Sequence, residues 1–496
     1  MSARPARLPA LLALLALGAS ACGRTREATV LYLTDAHEIA PVVDRHGDRG
    51  GVARLKTALD RVRKRAPGAL VVFGGDLAGG TLFGGVFRGE PIVDALGRAG
   101  VGLAAFGQHD FDFGAAHARG LVARSTFPWI TSNLVDAAGA PFGGLPTRLV
   151  RRVGGLDVGF LALTDDMATT TQEGAVFQKE LVAAARAAGE ALKRDGAEAI
   201  VALTQTGAAT NERILREVPL VDAVLTEEES EEVSVVRFAG SRPIAAPCGN
   251  IGSLIELRLV AGPDGRVRSE VLAHPVDASL PPDPELLADE KRWMARLEKS
   301  LAGQAGALAE ALPAAGSREK ETALGDLVAD AFREATGADA ALVAGSSLRA
   351  DLPAGPLTRR HVAAVLPFAN RVTLLALKGS TLREALEAGL AGARGAASLL
   401  QVSGISYAGD SAAPAGRRLS EVHVGGALLE GDATYRVAVS SYLAGGGEGL
   451  VFLARAPRLP IPGGEPLDAD ALAARLVQLG VEGPVPAPRT GRIALR

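Results

Sequence analysis

The sequence predicts an α/β protein in which two folded domains are joined by a helix. Three observations carry this. Compact apolar runs alternate with amphipathic helical stretches from Ala28 to about Ala273. Periodicity is then lost in the proline-rich stretch from Pro275 to Pro282. A second alternation of strand-like and helical segments begins near Glu310. At 496 residues, 48% hydrophobic and 22% charged, the chain is globular and long enough for two or three cores.

The first 22 residues read as a targeting segment rather than as fold. Arg4 and Arg7 precede the apolar run Leu8 to Leu17, and Ala19-Ser20-Ala21-Cys22 follows. That run is too short to span a bilayer. The Cys after small residues resembles a lipobox with Ala19 in place of the usual Leu, so Cys22 is expected to carry the lipid. An ordinary cleaved signal with a chance cysteine is the alternative. Cys248 would then have no partner, and no disulfide is expected. No later segment offers 18 uninterrupted apolar residues. The expectation is an exported protein anchored by its lipid on the periplasmic side or cell surface.

In the first domain, Val30 to Leu33, Leu70 to Phe73, Val158 to Leu161 and Ile200 to Leu203 read as strands buried on both faces. Val52, Leu55, Leu59 and Val62 recur at helical spacing between the first two. Asp283-Pro284 reads as a helix cap followed by proline in the first turn, and Leu286, Trp293, Leu297 and Leu301 form a helical stripe. In the last segment, Ala341 to Val343, Val372 to Leu375 and Tyr435 to Val439 read as strands, with helices near 323–336 and 380–390. The boundaries expected are 1–21 for the signal, 27–275 for the first domain, 276–309 for the linker helix and 310–496 for the second domain.

Polar groups gather at the carboxyl ends of successive buried strands, where open α/β sheets place ligands. The first strand ends in Thr34-Asp35-Ala36-His37, the second in Gly74-Gly75-Asp76, and a third apolar run in Gly107-Gln108-His109-Asp110-Phe111-Asp112. The run at Ile200 ends in Thr204-Gln205, and Val221 to Leu225 runs into Thr226-Glu227-Glu228-Glu229. Such carboxylates and imidazoles could hold a metal pair bridged by one aspartate, an arrangement suited to phosphate ester hydrolysis. The net charge of −3 gives no argument for binding a nucleic acid polymer, and 4% aromatics leave few stacking platforms. A monomer is expected.

In order and context these segments resemble the 5'-nucleotidase and metallophosphatase family. Members carry Asp-x-His, then Gly-Gly-x-Ala-Arg-Leu (here Gly50 to Leu55), Gly-Asp (Gly75-Asp76) and Gly-Asn-His-Glu-Phe-Asp-x-Gly (Gly107 to Gly114). The second half agrees: Arg318 precedes Glu321 to Leu327, Ala344 to Arg349 replaces Asn-Gly-Gly-Gly-Ile-Arg, and Leu366 to Asn370 matches Leu-Pro-Phe-x-Asn. Gly446 to Leu450 stands for Gly-Gly-Asp-Gly-aromatic. The likeness covers roughly residues 28 to 455. It implies a four-layered metallophosphoesterase α/β sandwich joined by the linker helix to a smaller α/β domain.

The resemblance also implies roles. Asp35, His37 and Asp76 would hold one ion, with Asp76 bridging to a second. His109 would stabilise charge on the phosphoryl group and Asp112 would orient its ring, so the catalytic pair is His109 and Asp112. Three family positions for the second ion have changed: Asn to Gln108, a histidine to Gln205, and a Gly-Gly-His-x-His segment to Thr226 through Ser230. One reading rebuilds that site from oxygen donors of Asp76, Gln108, Gln205 and Glu228, with Ser230 a poor fourth donor to the first ion. Such donors favour Mn²⁺, Mg²⁺ or Ca²⁺ over Zn²⁺. The other reading is a silent binding lipoprotein on the same scaffold, its acidic run a solvated loop.

In the second domain, Arg318, Arg349, Phe368 and Glu448 are the expected substrate-binding residues. Ala344 and Leu450 replace a hydrogen-bonding and a stacking residue, so adenine specificity does not follow. The function expected is metal-dependent hydrolysis of a small anionic phosphate monoester, nucleotide-like or sugar-phosphate-like.

Overall fold

The computed structural model describes residues 26–44, 47–165, 167, 175–230, 232–263, 265–392 and 398–495. The signal-like segment and Cys22 lie outside the described residues. Among the described residues, no helix is long and apolar enough to cross a membrane.

Two sheets build the first domain. One runs in the order Val267–Pro275, Ser253–Ala261, Arg26–Leu33, Leu70–Phe73, Leu103–Ala104. Its last three strands are parallel and its first two antiparallel. The other runs Val235–Ala239, Arg242–Ala246, Ala223–Thr226, Ala199–Gln205, Leu156–Thr164, Arg148–Val153, with a parallel centre. Val30, Tyr32 and Val72 of the first sheet meet Val158, Phe160, Val201 and Leu225 of the second in one apolar layer. Leu55, Leu59, Ile92 and Leu96 from helices cover the outer face of the first sheet. Val182, Leu192, Ile214 and Leu215 cover the second. The central strands are therefore apolar on both faces, which is why they read as continuous runs, and the domain is the expected four-layered sandwich.

The linking helix spans Pro284–Leu301. Asp283 caps it by accepting from the amides of Glu285 and Leu286 at 3.1 and 3.0 Å. Leu286, Leu297 and Leu301 join the core of the first domain, and the Trp293 ring meets Phe87 with centroids 5.0 Å apart. Glu290 Oε1 accepts from the amide of Ala53 at 2.7 Å, supplying a carboxylate to helix Val52–Arg65, whose first turn has no acid of its own. The stretch 276–309 holds more than this helix, because Gln304–Leu308 is a strand pairing with Gly355–Thr358 of the second domain.

The main sheet of the second domain has the order Leu400–Ser403, Ala340–Ala344, Thr434–Ser440, Val372–Lys378, Arg458–Leu459. Helix Ala323–Thr336, capped by the Thr322 hydroxyl, packs Leu324, Leu327, Val328 and Phe332 on one face. Helix Gly379–Gly392 packs Leu382, Leu386 and Leu390 on the other. The segments after Ala344 and Ser440 and before Val372 all help line a cleft that faces the first domain.

Candidate metal centre and interdomain cleft

The register that sets Leu33 opposite Phe73 continues beyond the strands. Asp35 donates its amide to the Gly75 carbonyl at 3.0 Å, and Ala36 donates to the Asp76 carbonyl at 2.9 Å. Asp35 and Asp76 are thereby neighbours. Both are left-handed, with φ of 54° and 62°, a conformation costing a non-glycine residue about 1–3 kcal/mol. The donor atoms of Asp35, His37 and Asp76 lie within 4.8 Å of one another, and all three residues are buried. The expected first-ion triad is assembled.

The third strand delivers Gly107 to Asp112 against this pair. A Cβ on Gly107 would sit 2.0 Å from Asp76 Oδ1, and one on Gly75, at φ 114°, would sit 2.1 Å from the Gly107 nitrogen. Glycine at both positions lets the loops interleave. Asp110 then fastens them: Oδ2 accepts from the amides of Asp76 (3.1 Å) and Gly107 (2.9 Å), and Oδ1 from Leu77 (2.9 Å). Sequence reasoning missed this role. Its only signal was an acid beside the histidine of the motif.

His109 is tied on both sides. Its backbone amide donates to Asp76 Oδ1 at 2.8 Å, and Nδ1 lies 2.9 Å from Asp112 Oδ2. Its ring meets His37 edge-on, with centroids 5.5 Å apart. Burial works against a charge on His109, yet the carboxylates of Asp112, Asp76 and Asp35 outweigh it and raise the pKa to about 10. Burial and the His109 charge push His37 down to about 3, leaving it neutral, the form that binds metals. Burial raises Asp35 to about 7 and carries Asp76 well above the ordinary carboxyl value, with Asp35, Asp110 and Glu227 adding to the rise at Asp76.

Gln205 reaches the same seam from the second sheet. The Thr34 hydroxyl donates to the Gly75 carbonyl, so the Gln205 amide must turn its Nε2 towards Thr34, 2.8 Å away. Its Oε1 is left buried, with no hydrogen-bond partner among the described residues. A buried acceptor beside crowded carboxylates and a neutral imidazole fits a divalent cation.

The remaining candidate donors, Glu228 and Gln108 for the second ion and Ser230 for the first, are placed differently. Glu228 donates its backbone amide to Asp35 Oδ2 at 3.2 Å, so this residue of the acidic run lies against the centre, although its carboxylate is not among the atoms of the 4.8 Å triad. The solvated-loop expectation therefore fails for Glu228 and holds for Glu229, which is exposed and paired with Arg237. Gln108 lines the interdomain cleft. Ser230 is spent on a turn, its hydroxyl oxygen accepting from the amides of Glu232 and Val233 at 3.1 and 3.3 Å.

A cavity of about 950 Å³ opens between the domains. Gln108, His109 and Asp112 line one side, with Arg318, Arg349, Phe368, Arg371, Tyr442 and Glu448 on the other. All four substrate-binding residues expected from sequence are thus brought together. The Arg349 guanidinium stands 5.8 Å from the Phe368 ring centroid. Glu448 is engaged on both oxygens, by the Ser346 hydroxyl and by the Ser398 amide at 2.7 Å. Ala344 and Leu450 are each 1% exposed and belong to the core. Tyr442, 45% exposed, offers the cleft an aromatic ring besides Phe368, which is 43% exposed. Its signal in the sequence is an aromatic two residues after the strand end at Ser440.

Comparison with known proteins agrees with this architecture. Residues 302–455 match the family model for the 5'-nucleotidase C-terminal domain. The trifunctional nucleotide phosphoesterase YfkN of Bacillus subtilis is 25% identical over 82% of the chain, which spans only 31% of that longer protein. The 5'-nucleotidase of Bos taurus is 26% identical, covering 91% of this chain and 88% of its own. The crystal structure of a 5'-nucleotidase precursor from Thermus thermophilus superposes with a TM-score of 0.68 at 26% identity, covering 95% of this chain and 99% of that one. Residues 302–455 are thus similar to a 5'-nucleotidase C-terminal domain, and the whole chain shares the two-domain α/β architecture of the 5'-nucleotidase structures it superposes on.

Proposed function

We propose that this chain is a divalent-metal-dependent phosphate monoester hydrolase acting on a nucleotide-like or sugar-phosphate-like ester. The observation that carries the reading is the buried Asp35, His37 and Asp76 triad beside the His109 and Asp112 pair, at the mouth of an arginine-lined cleft. Divalent ions held by the triad, with Gln205 and the acidic run beside it, would supply positive charge to the phosphate oxygens and activate water. Oxygen donors outnumber imidazole there, which favours Mn²⁺, Mg²⁺ or Ca²⁺ over Zn²⁺.

The protein's own groups do the rest. Asp112 accepts the Nδ1 proton of His109 and so fixes the ring, leaving Nε2–H to donate to a phosphoryl oxygen as charge builds there. Arg318 and Arg349 present planar forks to anionic oxygens, and Phe368 and Tyr442 offer flat faces to a ring of the ligand. Metal analysis of the purified protein, followed by a phosphatase screen with Mn²⁺, Mg²⁺, Ca²⁺ and Zn²⁺, tests the reading. Metal-independent ligand binding with no turnover would replace it with a binding role. An envelope location through lipidated Cys22 belongs to the same proposal, supported by the basic, apolar and cysteine order of residues 4 to 22.

A further inference from the structure

The second domain sends the Arg371 side chain across the cleft. Arg371 directly precedes strand Val372–Lys378. Its backbone is held in the second domain, its amide donating to Ser441 Oγ at 3.2 Å and its carbonyl accepting from the Ser441 amide at 2.7 Å. Its guanidinium lies between the domains. Nη1 donates to the Glu465 carbonyl at 2.7 Å on its own side, and Nε donates to the Asp112 carbonyl at 3.2 Å on the other. The same group stands 5.5 Å from the Phe113 ring centroid.

The residue reached is the one that orients His109. Asp112 closes a single helical turn, its amide bonded to the His109 carbonyl at 3.1 Å, and its carboxylate holds His109 Nδ1. So short a turn has little rigidity of its own, and a planar donor fork bridging two carbonyls is a stiff clamp. We propose that Arg371 is a positioning residue through which the second domain orders the His109 and Asp112 pair, making that pair competent only while the domains are docked. The proposal rests on the hydrolase reading above. It also separates two roles that a cleft arginine can have: direct contact raises KM for anionic substrates, whereas positioning lowers kcat even for a small ester that never reaches the second domain's aromatic rings.

The test is a double-mutant cycle on the full chain with p-nitrophenyl phosphate. Arg371→Ala is expected to lower kcat by roughly ten- to a hundredfold, the scale of an ångström misplacement, with KM within about threefold. Arg371→Lys should recover part of the loss, and in an Asp112→Ala background Arg371→Ala should cost no more than about threefold further. Hydrogen exchange is measured alongside, and amides of residues 107–117 should exchange faster in Arg371→Ala than in wild type. Additive losses, or a raised KM with unchanged kcat, would overturn the proposal. A wild type inactive with every metal would instead defeat the hydrolase reading, and the exchange comparison would then decide alone: equal rates would overturn the positioning role.

Discussion

Asp110 is the joint on which the centre is built, and replacing it with asparagine measures that joint. Its carboxylate accepts three buried amides, two on Oδ2 and one on Oδ1. An asparagine of the same shape has one acceptor oxygen. The least costly orientation keeps that oxygen towards Asp76 and Gly107 and turns the NH₂ group at the Leu77 amide. One charge-assisted bond is lost, worth about 1.5–3 kcal/mol, and two donors then face each other. A loss of about 2–4 kcal/mol should lower the melting transition of the first domain by roughly 5–15 °C. Differential calorimetry, with the two domains' transitions resolved, reads this directly. Divalent-metal affinity should fall as well, since Asp76 and the Gly107 loop lose their common anchor. A first-domain transition within about 1 °C of wild type would mean that Asp110 does not fasten these loops.

Other outcomes follow from the same geometry. Gln205→His together with Glu228→His should raise Zn²⁺ affinity in a chelator competition, because imidazole replaces oxygen donors; no gain would remove Gln205 and Glu228 from the second-ion site. Asp326 is fully buried, 3.7 Å from Arg492 Nε, and burial lifts its pKa from 3.8 to about 8 despite that cation. Between these values the folded state keeps a proton that the unfolded chain releases, so stability falls as pH rises, by at most about 1.4 kcal/mol per pH unit. Asp326→Asn should therefore raise the melting temperature of the second domain at pH 8 and change it little near pH 4; equal shifts at both would contradict the assignment. Cys22→Ser should move the protein from the membrane to the soluble fraction of cells, and an unchanged distribution would mean an ordinary signal.

The sequence was most legible where one chain segment carries the whole message. Strands such as Leu70–Phe73 and Ala199–Gln205 are buried on both faces, so their apolar runs are unbroken. The Asp35 and His37 pair was legible because it sits at the end of such a strand. The second domain's cleft residues were reached through resemblance of motifs, not through periodicity. What stayed hidden depends on segments distant in sequence converging in space. Asp110 matters because its carboxylate meets amides 33 and 34 residues earlier, and Gln205 because Thr34, 171 residues away, fixes its amide. The sequence points to the Glu228 carboxylate, yet it is the backbone amide that touches Asp35. Tyr442 and Arg371 lie just outside the motifs, so the motifs did not point to them.

The proposed hydrolase needs Asp35, His37 and Asp76 to hold a divalent ion. The most direct measurement is turnover of a phosphate monoester by metal-stripped protein titrated with Mn²⁺ or Mg²⁺, wild type beside Asp76→Asn. Activity should appear with the ion, vanish with chelator, and fall by at least about a hundredfold in Asp76→Asn, the scale of losing a key group that stabilises transition-state charge. No metal bound at millimolar concentration, or an Asp76→Asn protein as active as wild type, would contradict the claim.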